Sequence, residues 1–120
     1  MREGAAANNY ASSLWQLRRF EEAKSLLGKT VPVARRILGE ADRLTLKMRW
    51  CYAEALYGDP GATLDDLSEA VTTFEDMERI AQRVFGSTHP LAVGIERELR
   101  RSRAALRRRA RETPSLPGSA

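Results

Sequence analysis

NYASSLWQLRRFEEA, residues 9–23, decides the fold because the chain writes its pattern twice. Ala7, Tyr10, Ala11 and Leu14 fall at i, i+3, i+4 and i+7, the single apolar stripe of an amphipathic helix over about 5–17. A shift of 42 residues lays Tyr10-Ala11 on Tyr52-Ala53 and Leu14-Trp15 on Leu56-Tyr57. A shift of 47 lays Glu22-Ala23 on Glu69-Ala70, Ala34 on Ala81, Arg36 on Arg83 and Leu38-Gly39 on Phe85-Gly86. The difference of five is an insertion around Gly58–Ala62, in the turn of the second unit. A helix–turn–helix unit repeated at this period is the pattern of an α-solenoid.

Working outward from that repeat gives five helices and no strand. The second helix, about Phe20–Leu38, places Phe20, Ala23, Leu27, Thr30, Ala34 and Ile37/Leu38 on one face. Pro32 removes an amide and crowds the carbonyl of Gly28, which predicts a kink. Gly39 predicts a left-handed cap. The third helix spans about Leu44–Tyr57 and stops at Gly58-Asp59-Pro60-Gly61. The fourth, about Thr63–Phe85, opens with a Thr63/Asp66 capping box and carries acids at its start and Arg79 and Arg83 near its end. Its expected seam is Leu67, Val71, Phe74, Met77, Ala81 and Val84, closed by Gly86. Ser87-Thr88-His89-Pro90 then starts a last helix, about Pro90–Arg111. TPSLPGSA, residues 113–120, reads as a disordered tail. The expectation is thus one all-α domain over 1–112. It comprises repeat one at about 5–39, repeat two at about 43–86 and a basic capping helix at about 90–111.

These 120 residues are 42% hydrophobic and 30% charged, enough for one core and too short for two domains. No apolar run approaches the ~20 residues of a membrane span, and MREGAAANNY, residues 1–10, lacks the apolar stretch of a secretory leader. One cysteine, Cys51, excludes an internal disulfide, and His89 is the sole histidine, so a structural zinc site has no ligands to draw on. An intracellular, reducing compartment, the cytoplasm, follows as the expectation. No phosphate loop and no nucleophile–base spacing occur, so no catalysis, cofactor or small-molecule substrate is expected. Residues 1–95 hold 12 Lys+Arg and 13 Asp+Glu, whereas residues 96–120 hold 8 Arg and 3 Glu, so the net +4 belongs to the last helix.

The residues that carry the repeat resemble kinesin-light-chain-type tetratricopeptide repeats. Asn9-Tyr10-Ala11-x-x-Leu14-Trp15-x-x-Arg18-Arg19-Phe20-x-Glu22-Ala23 resembles that family's N-L-A-x-x-L-Y-x-x-x-G-x-Y-x-E-A core. Leu38-Gly39-Glu40-Ala41-Asp42-Arg43-Leu44-Thr45-Leu46 and Phe85-Gly86-Ser87-Thr88-His89-Pro90-Leu91 resemble its L-G-x-x-H-P-x-T-L linker. Arg18 stands where the family has a turn glycine, Cys51 where it favours asparagine, and Arg43 where the first linker should carry proline. The resemblance implies a right-handed superhelix whose first helices line a concave groove, and an Asn9 able to bond a peptide backbone.

Two surfaces are candidates for function. On the first helices, Asn9, Ser12, Trp15 and Gln16 (with Asn8) and Lys47, Trp50, Glu54 and Tyr57 lie opposite the core stripe Met48/Tyr52/Ala53/Leu56, a mixture suited to an extended peptide. Trp15, Trp50 and Tyr57 could equally fill the space between helix pairs. On the last helix, Leu91, Ile95, Leu99, Leu106 and Ala110 project to one side. Arg97, Arg100, Arg101, Arg103, Arg107, Arg108 and Arg111 project to the other. That basic face reads as a solvated cap, as a phosphate-contacting face for RNA, DNA or anionic lipid, or as a dock for an acidic protein. Without interleaved aromatics, base stacking is not indicated. Cys51 reads as a small buried hydrophobe and His89 as a linker residue. The function expected is a non-catalytic protein-interaction module or structural subunit, with nucleic-acid binding the alternative. Two repeats are short for independent stability, so an apolar N-terminal edge covered by a partner or a second copy is also expected.

Overall fold

The computed structural model describes residues 2–112 as five α-helices: α1 Arg2–Gln16, α2 Phe20–Leu38, α3 Arg43–Gly58, α4 Leu64–Phe85 and α5 Pro90–Glu112. Among the described residues there is no strand. The expected tail, 113–120, lies outside them. α1 and α2 form one hairpin and α3 and α4 the next; α2 also packs on α3, α4 on α5, and α1, α3 and α5 meet in a row. This is an all-α tetratricopeptide-like helical repeat closed by a single helix.

Local chemistry fixes the helix ends. Asp42 caps α3 by accepting from the Leu44 amide at 2.9 Å. At α4 the Thr63 hydroxyl accepts from Asp66 N–H, and the Asp66 carboxylate accepts from Thr63 N–H, both at 3.1 Å. Gly39 and Gly86 occupy equivalent linker positions with φ of 91° and 90° and ψ of 162° and 156°. The expected left-handed cap is therefore corrected to an extended, positive-φ conformation that a Cβ would strain. Each glycine amide donates to the carbonyl four residues back, Arg35 and Gln82. α2 continues through Pro32 without a break in helical backbone.

Arg18 is the one described non-glycine residue with positive φ, 61°. It turns the chain between α1 and α2 where the family pattern has glycine, and its guanidinium lies over the Phe20 ring at 5.3 Å. A left-handed conformation costs an L-residue about 1–2 kcal/mol.

The core divides along the repeat. Ala11, Leu14, Ala23, Leu27, Val31 and Ala34 join Met48 and Ala55 in one cluster. Leu46, Ala53, Leu56, Phe74, Met77 and Ile80 join Ile95 and Leu99 in the other. Ala11 and Ala53, equivalent by the 42-residue shift, are both sealed at first-helix/second-helix contacts. Four stripe assignments change, three on α1, α2 and α4 and one, Ala110, on α5. Tyr10, Ile37 and Val84 are 57%, 63% and 47% exposed, because each lies at the margin of its helix face; Gly4, Val31 and Ile80 are buried instead. Tyr52, the counterpart of Tyr10, is covered by α2, and no helix among the described residues stands in that position beside α1. Ala110 is exposed because the buried face of α5 spans Ala92–Ser102. Arg49 crosses from α3 to Asp76 of α4 at 2.8 Å. Burial pushes the Asp76 carboxyl up, but Arg49 and Arg79 outweigh it and hold the carboxyl below its usual range.

Candidate functional site

The row α1–α3–α5 brings first-helix side chains together on one face. Ser12 Oγ meets Cys51 Sγ at 3.4 Å, and the Trp15 indole N–H donates to the Glu54 backbone carbonyl at 3.3 Å. Between these bridges lies a cavity of about 200 Å³ lined by Ser12, Trp15, Gln16, Cys51 and Glu54. Four of the eight peptide-site residues expected from sequence thus converge. Asn9 and Lys47 are exposed and lie outside that lining.

Trp50 and Tyr57 take interhelical roles. Trp50 meets the Phe74 ring edge-on at 6.5 Å and presses on α5 at Gly94, where an added Cβ would stand 2.6 Å from its ring. Tyr57 also meets Phe74 edge-on, at 6.1 Å, and its hydroxyl donates to the Glu98 carboxylate. Trp15 serves both purposes: it packs on Phe20 at 6.3 Å yet stays 37% exposed over the cavity.

The repeat also dictates the electrostatics. Adding 42 to Ser12 gives Glu54, and adding 47 to Cys51 gives Glu98, so the positions of the α1/α3 hydroxyl–thiol contact are taken on α3 and α5 by two carboxyls whose charges interact. Glu98, only 5% exposed, is held by Tyr57 and by Arg101 at 3.3 Å. Burial, and next the Glu98 charge, push the Glu54 carboxyl up to about 7 against the opposing pull of the Trp50 indole and Arg101. Burial also raises the Cys51 thiol, with the Ser12 bond opposing. The groove accordingly presents an aromatic edge, a hydroxyl, an amide and a carboxyl that is half-ionised near neutrality. Such groups bond peptide main chains well.

On α5 all seven predicted arginines are exposed. Arg100 pairs with Glu96 at 3.0 Å, Arg101 with Glu98, and Arg103 with Glu75 of α4 at 2.9 Å. Arg97, Arg107, Arg108 and Arg111 have no carboxylate partner among the described residues. Arg108 borders a second cavity of about 270 Å³ with Tyr57, Pro60, Leu67 and Glu112. Among the described residues no three of His, Cys, Asp and Glu are placed to hold a metal ion. No described helix is long and apolar enough to cross a membrane.

A family model described as tetratricopeptide repeat matches residues 4–43. The first hairpin is similar to a tetratricopeptide repeat. The match runs from the buried Gly4 of α1 through α2 to the start of α3, one full unit of the duplication, and it supports a tetratricopeptide-repeat family. No match was found among curated proteins or among solved structures. The second tetratricopeptide-like unit reuses the first one's contacts with its turn lengthened. The residue acting on the groove that the sequence reading missed is Glu98 of α5, whose charge bears on Glu54 and which, on an arginine-rich helix, reads as solvated. The 47-residue shift from Cys51 is the signal that finds it.

Proposed function

We propose that the chain is a non-catalytic protein–protein interaction module, with repeats of the kinesin-light-chain type, that takes an extended peptide into the α1–α3 groove. One observation carries this reading: a cavity lined only by first-helix residues, with the Trp15 ring fixed at its rim by the bond to Glu54. The equivalent glycines Gly39 and Gly86 and the His89-Pro90 linker support the kinesin-light-chain type. His89 Nδ1 accepts from the Leu91 amide at 3.1 Å, and its ring stacks on Phe85 at 4.8 Å, a linker role with no chemistry attached.

Selection from a random peptide library on the full chain tests the reading. Selected peptides should weaken about 10-fold or more on Trp15→Ala and on Glu54→Ala, the loss of one anchoring contact, about 1.4 kcal/mol. They should bind Arg107→Glu unchanged. Peptides indifferent to both groove substitutions would refute it.

A further inference from the structure

The register of the first helices exposes a face that the groove does not use. In α3, Leu46, Trp50, Ala53 and Tyr57 form the seam against α4: Leu46 and Ala53 share its core cluster, and both aromatic rings meet Phe74. In α1 the equivalent Ala11 and Trp15 meet α2 at Ala23 and Phe20. Adding 47 to the α3 seam gives Val93, Arg97, Arg100 and Ala104 on α5, and the same alternation of four and three residues continues to Arg107 and Arg111. That alternation keeps six side chains on one ridge of the helix, the spacing by which two helices meet along their length. All but Ala104 are exposed, and Val93 is 46% exposed. No helix among the described residues lies against this ridge.

We propose that this ridge docks an acidic amphipathic helix of another protein, which completes a third hairpin in trans. Charge complementarity selects the occupant. Of the four arginines only Arg100 has a carboxylate, Glu96, while Arg97, Arg107 and Arg111 have none among the described residues. A helix seated on the ridge desolvates these guanidiniums, so it must bring carboxylates at matching four-and-three spacing. Val93 and Ala104 supply small apolar contacts between the charged rungs. The ridge carries no aromatic ring for a base to stack on, and its repeat is that of a helix pair, which favours a helix over a nucleic-acid strand.

Four probes test this on the full chain by fluorescence anisotropy at about 0.15 M salt, where diffuse attraction is screened. The first is a helical peptide of about 20 residues with glutamates at four-and-three spacing and alanine or leucine between them. The second has the same composition with its glutamates spread around the helix. The third is a single-stranded RNA of about 20 nucleotides. The ridge predicts that the first peptide binds about 10-fold or more tighter than the second. R97E/R107E/R111E, all exposed positions whose fold is verified by circular dichroism, should abolish that preference. A peptide with lysines in place of the glutamates should then bind the variant. Equal affinity for the two acidic peptides, no binding of either, or RNA binding tighter than the striped peptide overturns the proposal.

Discussion

Raising the pH from 5 to 8.5 should destabilise the fold through one side chain, Glu54. Its carboxyl is pushed from 4.5 to about 7 by burial and then by Glu98. The groups facing it are Glu98 and Arg101 on α5 and Trp50 and Tyr57 on α3. A carboxyl whose folded pKa is raised holds its proton more tightly in the native state than in the unfolded chain. Its contribution is therefore fully present below 4.5 and is lost as pH climbs through 7. The span between those values sets a ceiling of about 3 kcal/mol at 1.36 kcal/mol per unit. Glu54 lines an open groove, so solvent screening reduces the net effect to about 1–2 kcal/mol. Urea unfolding followed by circular dichroism at pH 5, 7 and 8.5 measures it. Wild type should lose that amount relative to Glu54→Gln, which keeps the shape and the hydrogen-bonding reach but cannot ionise. Because His89 is present in both proteins, the difference curve isolates Glu54. Parallel pH profiles for the two proteins would refute the paired-carboxyl account.

Three further substitutions probe the fold that carries the groove. Arg18→Gly relieves the positive φ of 61° and should stabilise by about 1 kcal/mol, read as a higher urea midpoint, despite losing the Phe20 contact. Gly94→Ala places a methyl 2.6 Å from the Trp50 ring and should cost about 1–3 kcal/mol, with a change in tryptophan emission. Thr63→Ala removes half of the α4 capping box and should cost about 1 kcal/mol, measured by thermal unfolding.

Much of this architecture is legible in residues 9–23 and their copy. Periodicity fixes which residues of α2 and α4 face inward, because Leu27, Phe74 and Met77 have no other apolar surface to join. The start of α4 is readable because Thr63 and Asp66 carry their hydrogen-bonding logic in the side chain, and that of α5 because Pro90 has no amide to leave unpaired. What the pattern could not supply is the relation between helices far apart in sequence. Trp15 and Tyr57 occupy equivalent places in their helices, yet Tyr57 is tied to Glu98 of α5 and Trp15 stands over a cavity. Tyr10 and Tyr52 match in sequence and differ in exposure, because among the described residues α2 covers Tyr52 and no helix stands in that position beside α1. Glu98 was hidden for a related reason: burial of a carboxylate depends on Tyr57 and Arg101 arriving from two helices.

The duplicated row of first helices is tested most directly by two engineered cross-links. Ser12→Cys places a thiol beside Cys51, where the present contact is 3.4 Å, and Glu54→Cys with Glu98→Cys in a Cys51→Ser background puts two thiols at the positions equivalent by the repeat. Disulfides form only where Cβ atoms lie about 3.5–4.5 Å apart. Under mild oxidation the two equivalent hairpins predict an intrachain disulfide in both variants, each seen by mass spectrometry as the loss of two hydrogen atoms from the monomer. A disulfide in one variant without the other, or in neither, would contradict the account.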